Sequence, residues 1–568
     1  METALKNKMA QLILAAFTAL LSVSSVFAAH PKLARDLEGK DPNSTVDVIV
    51  QFQSATNEAQ AQQKVVVRGG RLKSNLGVRH GSRVRWNAYR MAASALEDLA
   101  NDPDVLYISP DRTVTGMLKN AVPAVNANIA WQYGWNGAGV GVAVIDSGAS
   151  NTGFGSLKSG RIVYSESFIP KLGAGDEYGH GTHVMGIVGG NLKLTYMGIA
   201  PGANIISLRV LDKNGSGTDS QVIAAIQRAI QLKAQYNIRV INLSLGRPVF
   251  ESYTLDPLCQ AVESAWKAGI VVVVAAGNEG RNNSAQTDGY GTIAAPGNDP
   301  YVITVGAMKS EGTPGRGDDL IASYSSKGPT LIDHIVKPDL VAPGNRVVSL
   351  LEPGRTLDRL FPDNTVSINY FRLSGTSMAT PVVSGAVALL LQAQPSLTPD
   401  QVKSRLMKTA YKQFPVVSTV TDAATGQTFT SYYDIFTVGA GYLDVAAALA
   451  DRDLATGVAL SPTAVYSPDT NSVTLTGTAC PSCNQLVWDD RSLWGSRSLW
   501  GSRSLWGSQS IWGSSVVVDG TRCLWGSRSL WGSTSTQGFT ALWGTRSLWG
   551  SSSTPTSESL AVSIMGEN

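Results

Sequence analysis

Cysteine is scarce in this 568-residue chain. Four thiols (Cys259, Cys480, Cys483, Cys523) cannot staple a miniature scaffold, although they leave room for one or two bridges. Charge is sparse too: 16% of residues are acidic or basic, and the formal net charge is only +3. Nothing in that balance calls for a nucleic acid or an anionic membrane as partner. No uninterrupted apolar run reaches the ~20 residues of a spanning helix, and a multi-pass membrane protein is excluded. What is present is ample core material, 43% hydrophobic residues, on a length that suggests three or four domains at roughly 150 residues each.

Lys6 and Lys8 precede an apolar run from Leu12 to Leu21, followed by the small residues around Val26-Phe27-Ala28-Ala29. A basic start, a short greasy stretch and a small-residue exit read as a secretory signal peptide over residues 1–29. The alternative is a membrane anchor, but the run falls short of the ~20 residues that a spanning helix needs. The expectation is a secreted, extracellular chain without a transmembrane segment after signal removal, with cell-surface association left open.

Four zones follow. Residues 30–118, with a core at 46–115, combine strand-like Val46–Phe52, a Gln/Ala-rich helical stretch, a strand-like patch near Val84–Met91, a helical Ala92–Leu99 and strand-like Val105–Ile108. In residues 119–450, apolar strand runs (Val140–Ile145, Ile205–Val210, Val240–Leu245, Ile270–Ala275, Tyr301–Val305) alternate with helical patterns such as Ser220–Gln235 and Thr380–Gln394. That rhythm predicts an α/β fold, a doubly wound and mostly parallel sheet with helices on both faces. Residues 451–487 read as a β-rich spacer, and residues 488–568 hold a repeat.

Three segments of the second zone could carry chemistry. Val142-Ala143-Val144-Ile145-Asp146-Ser147-Gly148 is a buried strand that ends in a carboxylate. Gly179-His180-Gly181-Thr182-His183 opens a helix with an imidazole. Ser374-Gly375-Thr376-Ser377-Met378-Ala379-Thr380-Pro381 puts a serine at the mouth of an apolar helix. A serine hydroxyl becomes a nucleophile when an imidazole takes its proton, and the imidazole needs a carboxylate to fix its tautomer. A fourth segment, Val274 to Gly280, places the Asn278 amide just past a strand, where its NH₂ can donate to an oxyanion.

These segments, in the order Asp, His, Ser, resemble the subtilisin-like serine proteases (subtilases, peptidase family S8) over roughly Trp131 to Asp444. The resemblance implies Asp146 as orienting acid, His180 as general base, Ser377 as nucleophile and Asn278 as oxyanion donor. It implies a substrate strand gripped between Ser244-Leu245-Gly246 and Ala275-Ala276-Gly277, with Gly215 and Gly217 lining more distant subsites. The implied substrate is an extended protein or peptide, cleaved through an acyl-enzyme. The first zone resembles the family's inhibitory propeptide, a small α+β domain that acts as intramolecular inhibitor and is removed between Thr115 and Ala121. An ordinary N-terminal domain that stays attached is the alternative.

Other features weigh less. His183 lies three residues after His180, but the zinc-protease pattern needs i, i+4 spacing, so His183 reads as a buried structural histidine. His30, His80 and His334 have no motif partners and read as solvated. No metal ligand set is identified: Gly189–Thr195, where many subtilases carry a calcium loop, offers few oxygen side chains, so calcium stays a candidate cofactor without a site. Eight tryptophans fall between Trp494 and Trp549, mostly six residues apart in Arg-Ser-Leu-Trp-Gly-Ser units. An even period suits an extended strand or a hexapeptide solenoid, while the Gly/Ser content suits a flexible tail; its partner is unknown. Cys480 and Cys483 suit a redox pair, a local disulfide or partners for Cys523, and with no βα thioredoxin pattern around them a structural role is favoured. The rival to a protease is a surface-display or binding protein with an inactive protease-like domain and a binding tail.

Overall fold

The computed structural model describes residues 30–33, 37, 40–53, 55–78, 85–110, 118–149, 160–191, 196–284, 287–422, 425–467, 472–476, 518–519 and 566–567. The signal-like segment, Cys480, Cys483, Cys523 and nearly all of the Trp repeat lie outside them, as does part of the glycine-asparagine stretch weighed for calcium. The chain divides into two compact units between Val114 and Thr115.

The first unit is a four-stranded antiparallel sheet, ordered β2-β3-β1-β4, from β1 (Thr45–Phe52), β2 (Arg71–Val78), β3 (Arg85–Ala92) and β4 (Val105–Pro110). In β1, Val48, Val50 and Phe52 alternate inward, as period-2 geometry requires of a strand with one buried face. They meet Ala61 and Val65 of α1 (Glu58–Val66) and Leu96 and Leu99 of α2 (Leu96–Ala100). An Asn57/Gln60 capping box starts α1 by satisfying its first free N–H groups. Strand β2 has no counterpart among the sequence expectations: Arg71-Leu72-Lys73-Ser74-Asn75 lacks an apolar alternation that would reveal it.

The second unit carries an eight-stranded sheet: β5 (Gly141–Asp146), β6 (Ile162–Ser167), β7 (Asn204–Arg209), β8 (Ile238–Leu243), β9 (Val271–Ala275), β10 (Ile303–Lys309), β11 (Leu320–Ile321) and β12 (Leu340–Pro343). The order is β11-β10-β9-β8-β5-β7-β6, with β12 also on β10, and every pairing but β10–β11 is parallel. Because β5 lies between β7 and β8, the winding reverses there. Such a switch point opens a crevice at the strands' carboxyl ends, and Asp146 is the last residue of β5.

Helices α3 (His180–Gly189), α4 (Asp219–Tyr236), α5 (Pro257–Lys267), α6 (Thr376–Ala393) and α7 (Pro399–Thr409) accompany the sheet. Helix α6 is apolar and long enough to cross a membrane, yet most of it is buried in this core, which explains its lack of a polar face. Ala459, Leu460 and Ala464 also belong to that core, so residues 451–467 pack as part of the second unit. Thr463–Ser467 and Ser472–Thr476 form a hairpin, extended by Val518–Asp519.

Candidate active site

The four residues expected to do chemistry stand at four element ends. Asp146 closes β5, His180 opens α3, Asn278 follows β9, and Ser377 sits in the first turn of α6. His180 Nδ1 lies 2.8 Å from Asp146 Oδ1, which also accepts the Ser147 N–H at 2.7 Å. An ionised carboxylate only accepts, so the proton of the pair belongs on Nδ1 and the lone pair on Nε2. Burial opposes a charged His180 ring, but Asp146, by charge and by hydrogen bond, outweighs it with help from Asp176, and the ring titrates above its ordinary value.

Ser377 Oγ does not hydrogen-bond to His180. It donates instead to the Ser244 carbonyl at 3.1 Å, while Ser244 Oγ donates to the Ser377 carbonyl at 2.8 Å. The second bond has a local cause. Residue 381, four places on, is proline, so the helix has no N–H for the Ser377 carbonyl, and Ser244 supplies the missing donor. Ser244 Oγ is itself fixed by Asn242 Nδ2 at 3.0 Å.

Asn278 is oriented just as firmly. Its Oδ1 accepts the Thr376 N–H at 2.9 Å, and because a backbone N–H can only donate, the amide cannot be flipped. The Nδ2 therefore faces the other way: a Cβ on Gly375 would be 3.3 Å from Asn278 Nδ2 and 3.7 Å from Ser377 N, so both donors border one point. The Ser377 N–H is among those that a helix start leaves without an intrahelical partner.

The expected cleft walls differ in character. Leu245 and Gly246, between β8 and the Arg247–Ala295 bridge, are not part of any ladder among the described residues. On the other side Ala276 is committed, its N–H to the Val305 carbonyl and its carbonyl to the Ala294 N–H. Gly277 has φ +106°, and a Cβ there would lie 2.8 Å from Ser326 Oγ, so only glycine fits. Gly215 lies against the Tyr178 ring, whose centroid is 6.3 Å from that of His180, and Gly217 against the Val210 carbonyl.

A family profile described as the subtilase family matches residues 137–433. The chain belongs to the subtilase family. It is 37% identical over 372 residues to serine protease AprX of Bacillus subtilis (strain 168), covering 64% of this chain and 82% of that one. To subtilisin E of the same organism it is 33% identical over 366 residues, 63% of this chain and 83% of the relative. To subtilisin DY of Bacillus licheniformis it is 37% identical over 292 residues, 51% of this chain and 90% of the relative. This subtilase is a serine endopeptidase, a hydrolase acting on proteins.

Sequence reasoning missed Asp176. This buried carboxylate accepts the N–H groups of Tyr178, Gly179 and Thr182 and the hydroxyls of Ser147 and Thr182. It thereby pins the start of α3 to the end of β5, which sets the His180–Asp146 distance. The available signal was an acid four residues ahead of a glycine-flanked histidine, where a helix start needs acceptors. His183 is buried with Nε2 facing the Phe371 and Val347 carbonyls, and burial beside His180 holds it down at about 3. His334, expected to be solvated, is half-buried at φ +54°. No cluster that could hold a metal occurs among the described residues.

Proposed function

We propose that this subtilase is a secreted endopeptidase, made as a self-processed zymogen, in which Ser377, His180, Asp146 and Asn278 perform the reaction. Ser377 Oγ turns from the Ser244 carbonyl toward His180 Nε2 and attacks the scissile carbonyl carbon as its proton passes to that nitrogen. Asn278 Nδ2 and the Ser377 N–H hold the oxyanion. The C–N bond breaks when His180 returns the proton to the departing amine, and water repeats the cycle to free the acyl group. Asp146 stays ionised and stabilises the imidazolium. The observation that carries this reading is the 2.8 Å Asp146–His180 contact beside a helix start at which Asn278 is locked by Thr376.

The substrate lies extended against Leu245–Gly246, whose free main-chain groups suit strand addition. Ala275–Gly277 serves as a wall of side chain and Cα rather than a second ladder. The first unit, with its own core, acts as the detachable inhibitory propeptide and residues 1–29 as the export signal. Ser377→Ala tests all of this: secreted protein should lose casein hydrolysis and keep its first unit attached on N-terminal sequencing. Unchanged hydrolysis and trimming overturn the reading.

A further inference from the structure

Gly566 and Glu567, beyond the Trp repeat, are described as part of the second unit, and Glu567 is buried there. Its carboxylate Oε1 accepts the Ser323 N–H at 2.9 Å and the Ser323 hydroxyl, and it lies 3.1 Å from Arg281 Nη2. Arg281 is held in place independently: Nη1 donates to Asp422 at 2.7 Å, Nε to Ser323 Oγ at 2.6 Å, and the guanidinium stacks 4.4 Å from the Phe429 ring centroid. The Glu567 backbone is read as well, since its N–H donates to Asn345 Oδ1 at 2.9 Å and its carbonyl accepts from Asn345 Nδ2 at 3.0 Å. An asparagine side chain that pairs with both groups of one residue imitates a strand neighbour.

Gly566 completes the recognition. It has φ +80°, and a Cβ there would sit 2.3 Å from Ser374 Oγ, 2.6 Å from Arg346 Cγ and 2.9 Å from Asn345 Oδ1. Charge, backbone and the absence of a side chain thus each select Gly-Glu at this point. Glu567 Oε2 is buried without a partner among the described residues, so the acid is gripped through Oε1 and by its charge. The socket is built from the loops that carry the reaction: Arg281 stands three residues after Asn278, and Ser374 three before Ser377. Tyr324 joins them, taking the Gly375 N–H on its hydroxyl at 3.2 Å and the Gly280 N–H on its carbonyl at 2.8 Å.

We propose that Arg281, Ser323, Asn345 and Ser374 form a recognition site for a Gly-Glu step in a peptide whose glycine turns with positive φ, and that Gly566–Glu567 of the same chain is its resident ligand. The bound segment returns the chain from beyond the repeat to the peptidase unit and braces the loops bearing Asn278 and Ser377. A buried carboxylate opposite a fixed guanidinium is costly to leave half-made, so both partners favour occupancy.

The test uses full-length protein in the Ser377→Ala background, where self-digestion is absent, and follows hydrogen exchange of the Ser323 amide. Gly566→Val and the isosteric Glu567→Gln should each accelerate that exchange about tenfold or more without lowering the melting temperature of the first unit. Adding the synthetic peptide Ile-Met-Gly-Glu-Asn to the Gly566→Val protein should restore slow exchange, and the same peptide with Gln for Glu should not. Unchanged exchange in both variants, equal protection by the two peptides, or protection in the unsubstituted chain that grows with protein concentration would each overturn an internal, acid-selective ligand.

Discussion

Ser244 and Ser377 exchange two hydrogen bonds, hydroxyl to carbonyl in each direction, at 2.8 and 3.1 Å. One of them exists because Pro381 leaves the Ser377 carbonyl without a helical donor. The Ser377 carbonyl is thus held by a neighbouring strand end rather than by its own helix. Ser244→Ala removes the donor and leaves a partly buried carbonyl without it, at a cost of about 1 kcal/mol. The check is the thermal or urea midpoint of the second unit; a midpoint equal to that of the parent would show that the bond contributes nothing.

Activity and stability should respond to pH in opposite senses through His180. The ring must be neutral to accept the serine proton, and Asp146 raises its titration above the ordinary ~6.5. Hence kcat/KM should fall as pH drops through a midpoint above ~6.5. A histidine with a raised folded value stabilises the fold fully below its unfolded value, and that stabilisation is lost as pH rises through the folded one. Asp146→Asn should abolish this stability component and lower kcat by about 10⁴, the order known for loss of this acid in subtilisin. A rate that stays level down to pH 4 contradicts the assignment.

Asn278→Leu should slow kcat by about 10²–10³, the magnitude known for this donor in subtilisin, with little change in KM. Oxyanion donation is realised only as charge develops, so ground-state binding is spared. The variant also loses the Asn278 Oδ1–Thr376 N–H bond, so part of the loss reflects a looser start of α6. Asn278→Asp keeps that acceptor while removing the donor. If it hydrolyses as fast as the parent, the donor has no role.

The strands around the site were legible because a parallel sheet buries both faces: Val140–Ile145 and Ile270–Ala275 read as unbroken apolar runs and fall on β5 and β9. Edge elements were not. In β6, Ile-Val-Tyr-Ser-Glu-Ser is only half-buried, and polar side chains hide the strand. The short motifs marked which side chains could react but not the direction of their hydrogen bonds. No spacing in Gly-Thr-Ser-Met-Ala-Thr-Pro tells that the Ser377 hydroxyl rests on Ser244, 133 residues away. Asp176 was hidden for a related reason: three of its five donors are backbone N–H groups, which have no letter in the sequence.

Asp176→Ala should act on stability before chemistry. It leaves three N–H groups and two hydroxyls at a buried helix start without their acceptor, which predicts a loss on the order of 3 kcal/mol. Asp176→Asn keeps one oxygen acceptor and should recover part of it. Because the α3 start positions His180, residual activity of Asp176→Asn should show a lower kcat and a shifted acid limb in its pH profile. A stability loss with an unaltered profile would restrict Asp176 to scaffolding.

The most severe single loss of stability is expected outside the candidate site, at Asp339. Its Oδ2 lies 2.7 Å from Lys337 Nζ and its Oδ1 3.3 Å from Lys403 Nζ, and all three side chains are fully buried. Lys403 also donates to the carbonyls of Pro300, Tyr301 and Val302 and to Ser461 Oγ, which in turn donates to Asp339 Oδ1 at 2.6 Å. Burial pushes both ammonium groups down, Lys403 to about 7, and the shared carboxylate offsets part of that penalty. One acid therefore ties β12, α7 and Ser461 together. Asp339→Asn leaves two ammonium groups without a counter-charge, at about 3–5 kcal/mol. Lys403→Met removes one charge in a similar volume and should be tolerated far better, because Lys337 keeps its partner. If both variants unfold at the same denaturant concentration, packing rather than charge holds this region together.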